Sequence, residues 1–314
     1  MALLVEWVFG EWVGAPSVRL RIKGQQTHAK SGHNCRRRYS SASFAAHRAS
    51  THLIMMSDLP SSPSLTTLFL QHAAASFDKQ VYLEAVLRQA RWSFALDEGV
   101  LALQMPHETL QLTVQILGTE SAEYRTWLWA WANAGSGIPP YLLKSVEQLR
   151  HLGHEAGIDE LHIPSLGLSA QINGGTLSAI ASGVCRAGCS FAVPYPGGTL
   201  FMLIKDARYK RSIMHPLPRI ARVFPMFLQQ QSVSNQREAY LHYLKFYRLK
   251  IEEQGSHVTA VMGFRPRAAS IVPASGVLDM MTPAPILLEP HTNQKLVAEF
   301  DAHDQLLTLH ELTE

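Results

Sequence analysis

The residues of this chain whose types could do chemistry are scattered, and few of them stand at a useful spacing. Cys185 and Cys189 are four apart. A zinc site needs four thiolate or imidazole ligands, and no second pair with finger-like spacing accompanies these two, so they read as buried thiols. His151 and His154 would share one helix face, but Arg150 and Glu155 beside them mark that face as solvated rather than metal-binding. Neither a metal nor a cofactor is expected. Glu120 and Glu123 could form an acid/base pair, yet they fall in a polar connection after Gly118 and read as solvated. Asn173-Gly174-Gly175 and Gly197-Gly198-Thr199 are too short to cradle a phosphate and read as turns. Lys205, Arg208, Lys210, Arg211, Arg219 and Arg222 gather around one acid, Asp206, with Tyr209 and Phe224 nearby. That is the composition of an anion or nucleic-acid patch. The body of the chain is slightly acidic, however, so the cluster reads as a solubilising loop, and nucleic acid is not an expected partner.

The most unusual segment is Thr126-Trp127-Leu128-Trp129-Ala130-Trp131-Ala132-Asn133. In an extended strand Trp127, Trp129, Trp131 and Asn133 share one face, and Leu128, Ala130 and Ala132 the other. In a helix the same indoles would turn to different sides, so we expect a strand. Three rings on one surface could be a stacking platform for a sugar, a base or another planar ligand. They could equally be a core layer beneath the helices that follow. A third arrangement places Trp127 in the core and Trp131 with Asn133 at the mouth of a pocket where the strand ends. Trp129, Trp131 and Asn133 are therefore the candidate ligand-binding residues.

Gly118-Thr119-Glu120-Ser121, this Trp-Leu-Trp-Ala-Trp-Ala-Asn run, and Leu149-Arg150 with Gly153 resemble a bacterial domain-of-unknown-function family marked by such a strand. Leu68-Phe69-Leu70, Trp92-Ser93-Phe94 and Ile180-Ala181-Ser182-Gly183 are similar as well. The resemblance spans about residues 60–205. It implies a bacterial, cytosolic setting and brings no activity with it.

The elements that must position these residues follow from periodicity. Ser62-Pro63-Ser64 opens a helix that runs to about Arg91. Trp92–Leu96 and Leu101–Met105 alternate around Asp97-Glu98-Gly99 as a hairpin, and Leu110 to Ile116 alternates again. Pro139-Pro140 opens a helix that ends at Gly157, and another runs from about Thr176 to Ala187. Phe191–Val193 and Leu200–Ile204 read as paired strands. Ser234-Asn235 caps a helix expected to reach about Gln254, with His257–Met262 a strand behind it. Residues 264–292 are rich in proline and read as a long loop. Leu296–Phe300 and Leu306–Leu309 form a final hairpin. Strands in a run, then helices, then further strands predict an α+β fold with a mainly antiparallel sheet and helices packed on it.

With 314 residues, 46% of them hydrophobic and 17% charged, the chain can bury a full core. Eight of its 28 basic residues but two of its 25 acids fall within 1–55. That Arg- and Ser-rich stretch is expected to be a disordered extension, or sequence ahead of a natural start at Met55 or Met56. The folded part is then one α+β domain over 56–262, with the loop and hairpin of 263–314 packed on it. Three cysteines make no disulfide framework and no apolar run is long enough to span a membrane, so a cytoplasmic location is expected. These observations favour a non-catalytic binding or interaction protein with a small ligand or a protein partner. The alternative is a hydrolase-like enzyme with dispersed catalytic residues.

Overall fold

The computed structural model describes residues 4–6, 63–209, 215–262 and 294–313. The proline-rich stretch 264–292 and nearly all of the basic 1–55 stretch lie outside the described residues. Within them the fold is α+β, with every strand pairing antiparallel.

Helix α1 (Leu65–Leu87) begins where the sequence places it, with Ser64 Oγ accepting from the Thr67 amide at 3.1 Å. It is followed by β2 (Arg91–Ala95), β3 (Val100–Gln104) and β4 (Thr109–Ser121), while the short β1 (Leu4–Glu6) lies antiparallel along β2. The alternation expected for these strands is the burial pattern found: Phe94, Leu101, Leu103, Leu112, Val114 and Ile116 all face the core. Strand β4 is the axis of the sheet. Its first half pairs with β3, and its second half pairs with both β5 (Thr126–Trp129) and β8 (Gly198–Ile204). Beyond them lie β6 (Ser165–Gly167) on β5 and β7 (Cys189–Tyr195) on β8. Helices α2 (Lys144–Ala156), α3 (Asp159–His162) and α4 (Gly174–Val184) fill the connections. The α2 helix stops at Gly157, which takes the left-handed conformation (φ 68°) that a residue with a Cβ resists.

A second layer follows. Helices α5 (Pro216–Gln230) and α6 (Gln236–Phe246) pack with a four-stranded meander of β9 (Lys250–Gln254), β10 (His257–Val261), β11 (Gln294–Phe300) and β12 (Leu306–Thr313). The terminal hairpin therefore continues a sheet that β9 and β10 begin.

Helix α1 joins the two layers. Leu65, Leu68, Leu83 and Val86 belong to the core under the larger sheet, Leu70 and Ala73 to Ala75 to the core under the smaller one, and Phe69 packs against both. A helix buried on opposite sides has no single apolar stripe, which is why its sequence shows weak amphipathicity. Asp78 locks the junction. Its carboxylate is fully buried, accepts from Arg219 Nε at 2.5 Å and from the Tyr247 hydroxyl, and its backbone oxygen accepts from Arg219 Nη2 at 3.1 Å.

Several local expectations give way to tertiary context. The basic segment around Arg219 is helix α5, not a solubilising loop. Three prolines obscured it, two of them in the first turn, where proline is tolerated, and Pro225 inside the helix. Burial of Leu217, Ile220, Val223, Phe224 and Phe227 offsets the hydrogen bond that Pro225 removes. Helix α6 ends at Phe246, and Lys250–Gln254 is a strand, because Gly255 (φ 59°) turns a hairpin there instead of stopping a helix. Strand β4 continues through Gly118 to Ser121, where a polar connection was expected, since β5 and β8 flank it and satisfy its backbone.

His72 on α1 packs so closely on α4 that a side chain at Gly183 would run into its ring. Burial first, then Lys79 and His242, push its pKa down from 6.5 to about 4. A histidine depressed in this way is neutral in the folded state, while the unfolded chain takes up its proton below about pH 6.5. The stability it contributes is present above pH 6.5 and is lost as pH falls toward 4. Denaturant midpoints measured near pH 7 and near pH 4 should fall further in the wild type than in His72→Gln; equal falls would clear His72 of the effect.

Candidate ligand site

The tryptophan segment is extended only as far as Trp129. Ala130–Ala132 forms a 3₁₀ turn, so the strand expected through Asn133 ends four residues early. The turn is possible because β6 pairs only with Thr126–Leu128, leaving the residues after Trp129 without a strand on that side among the described residues. Trp127 and Trp129 share the buried face as predicted, in an edge-to-face contact with centroids 5.1 Å apart. Both are fully enclosed, and the Trp129 indole N–H donates to the Glu160 carbonyl at 3.0 Å. Trp127 also lies against Phe201 and over Gly118, where an added Cβ would sit 2.7 Å from the indole. Trp131 is separated from this pair by the turn. It is half-buried with the Arg150 guanidinium 4.3 Å above its ring, and its indole nitrogen has no partner among the described residues. Asn133 is half-buried at the start of a further turn. The structure thus brings Trp127 and Trp129 together and sets Trp131 and Asn133 apart from them.

The other chemical candidates are accounted for in structural terms. Cys185 and Cys189 are buried free thiols; burial, outweighing nearby Lys205 and the Ser145 carbonyl, pushes the Cys185 thiol up to about 11. His154 is exposed and stacks on the half-buried His162 at 4.4 Å, and no group of three or more His, Cys, Asp or Glu suited to a metal ion occurs among the described residues. Glu120 is not a solvated loop residue. It lies on β4, and its carboxylate accepts from the Gly174 amide at 2.7 Å, which caps the first turn of α4 with a negative charge. Glu123 is exposed. The basic cluster does not form one surface. Arg219 turns inward to Asp78, Lys205 donates to the Cys185 carbonyl, and Arg208 is paired with Asp206. Lys210 and Arg211 lie outside the described residues.

The concave site lies elsewhere, at the seam between the two layers. A cavity of about 270 Å³ opens between α1, α4, β7 and α5. Phe69, Phe77, Phe191, Phe201 and Phe227 supply its apolar walls. Its polar groups are hydroxyls and amides. Ser76 Oγ donates to the Ala179 carbonyl at 2.8 Å, and Gln80 Nε2 donates to the Ser190 carbonyl at 2.9 Å. Ser178 Oγ, in a residue only 3% exposed, has no partner among the described residues. None of the fourteen lining residues is ionisable. The sequence carried no signal for this site, because its phenyl groups come from four elements and read locally as ordinary core.

The fold and cavity together define an α+β protein with a neutral, phenyl-lined site at the seam of two cores. Residues 66–207 match the model of a protein family described as a family of unknown function (DUF6882). No curated protein and no solved structure matches the chain. The matched segment covers α1 through β8, and Phe227 and Gln231, from α5 and its C-terminal cap, close the cavity from beyond it.

Proposed function

We propose that this protein binds a small, neutral, largely apolar molecule in the seam cavity and does so without transforming it. The observation that supports this reading is the lining: five phenyl rings, no ionisable side chain, and one buried hydroxyl without a partner among the described residues. A hydroxyl left unsatisfied costs about 1–3 kcal/mol. The rings take up a ligand's apolar surface, and a turn of the Ser178 side chain about χ1 would bring its hydroxyl within reach of a ligand's hydrogen-bonding group. General acid/base chemistry needs a titratable group within reach of the substrate, and this lining supplies none. The alternative, a hydrolase-like enzyme, would have to use Ser76, Ser178 or Ser190 as its nucleophile, with a base about 3 Å away. Ser178 Oγ has no partner among the described residues, and Ser76 and Ser190 meet the Ala179 carbonyl and the Gln80 amide, neither of which is a base. The cytoplasmic and bacterial setting suggested by cysteine content and family resemblance belongs to this reading. No helix among the described residues is long and apolar enough to cross a membrane.

Ser178→Ala separates the two readings. Without ligand it should raise the unfolding free energy by about 1 kcal/mol, because it removes the orphaned hydroxyl. It should also weaken benzyl alcohol binding about tenfold, and leave toluene binding unchanged. Calorimetric titration of both compounds into folded protein makes the measurement. If neither binds saturably to the wild type, the binding reading is lost.

A further inference from the structure

A second cavity, of about 340 Å³, adjoins the first: Phe69 and Gln231 line both. Its character is different. Thr66, Gln171, Thr176, Ser232 and Ser234 line it, so hydroxyls and amides outnumber its one phenyl ring, that of Phe69. We propose that the ligand is a neutral, single-chain amphiphile, with its hydrocarbon chain in the phenyl-lined cavity and its hydroxylated head in the polar one. This rests on the binding reading above and goes further by naming the class of molecule.

Three observations carry it. The first is the change of polarity across the Phe69–Gln231 wall, which matches a molecule apolar at one end and hydrogen-bonding at the other. The second is charge. Neither lining contains an ionisable side chain, so a carboxylate or phosphate head would find no cation and an ammonium head no carboxylate. At the α4 N-terminus beside the polar cavity, two of the first-turn amides already have side-chain acceptors. Asn173 Oδ1 accepts from the Thr176 amide at 2.9 Å, and the Glu120 carboxylate accepts from the Gly174 amide at 2.7 Å. The third is size. The phenyl-lined cavity alone falls just short of the about 300–1,000 Å³ of small-molecule sites, and the adjoining polar cavity offers about 340 Å³ more.

The test is calorimetric titration of the full chain with 1-monoacylglycerols from butanoyl to decanoyl, below their aggregation thresholds, with the matching fatty acids and with toluene. Affinity should rise about fourfold per added methylene until the phenyl-lined cavity is full, and then level off. The ionised fatty acid of the same length should bind at least about tenfold more weakly. Thr176→Val, which removes a hydroxyl from the polar cavity, should weaken monoacylglycerol about fivefold to tenfold and leave toluene unaffected. Ala192→Phe, at the exposed rim of the inner cavity, should shorten the longest chain accepted; this position tolerates bulk, so folding is not at stake. Fatty acid binding as tightly as monoacylglycerol, or affinity independent of chain length, overturns the amphiphile proposal. If toluene still binds in that case, the binding reading survives alone. If neither toluene nor monoacylglycerol binds, both fail.

Discussion

Asp78→Ala should lower the unfolding free energy by about 3 kcal/mol, because it removes the buried half of an ion pair and leaves a largely covered guanidinium without its partner. Asp78 lies on the helix shared by both cores and is fully buried, while the Arg219 side chain retains 20% exposure. The pair formed at 2.5 Å is completed by the Tyr247 hydroxyl on the other carboxylate oxygen, so three elements converge on one side chain. Removing the carboxylate leaves Arg219 largely desolvated and Tyr247 without its acceptor. Replacing both ions, as in Asp78→Leu with Arg219→Met, should cost much less, since an apolar pair of similar volume leaves no uncompensated charge. Urea unfolding of the single and double variants measures the difference. A single variant within about 1 kcal/mol of wild type would show that the pair does not lock the layers. The same substitution should also reduce ligand affinity, because Phe77 and Phe227 wall the cavity from the two helices that this pair joins.

Trp129→Ala is expected to cost a similar amount, about 3–5 kcal/mol, through the cavity left by a fully buried indole. The loss includes the hydrogen bond to the Glu160 carbonyl and the edge-to-face contact with Trp127. Asn133→Ala, at a half-buried position in a turn with no side-chain partner among the described residues, should stay within about 0.5 kcal/mol of wild type. Neither should alter the affinity of folded protein for toluene, since neither residue lines the seam cavity. A Trp129→Ala protein of normal stability that had lost ligand binding would reverse this assignment and return the site to the tryptophan segment. Thermal and denaturant unfolding, each with and without ligand, distinguish the two results.

Much of the fold was legible because its signals are local. The Ser64 and Asn235 caps, the Gly157 stop and the Asp97-to-Gly99 turn each depend on a few neighbouring residues, and each is where the pattern placed it. The alternating strands were readable for the same reason: one buried face imposes a period of two. Helix α5 was not legible, since its prolines argue against a helix locally and only packing against α1 and the smaller sheet stabilises the segment as one. The end of β5 was equally hidden, because nothing in Trp-Ala-Trp-Ala states where the neighbouring strand runs out.

The chain's own order of residues determined the antiparallel α+β class, most helix starts, and that Trp127 and Trp129 share one face. Only the tertiary structure decided that Glu120 caps a distant helix, that Arg219 serves a buried carboxylate, and that five phenylalanines enclose a space. Propensity and periodicity act over a few residues. An ion pair here joins side chains 141 positions apart, and it and the cavity depend on how two cores close around one shared helix.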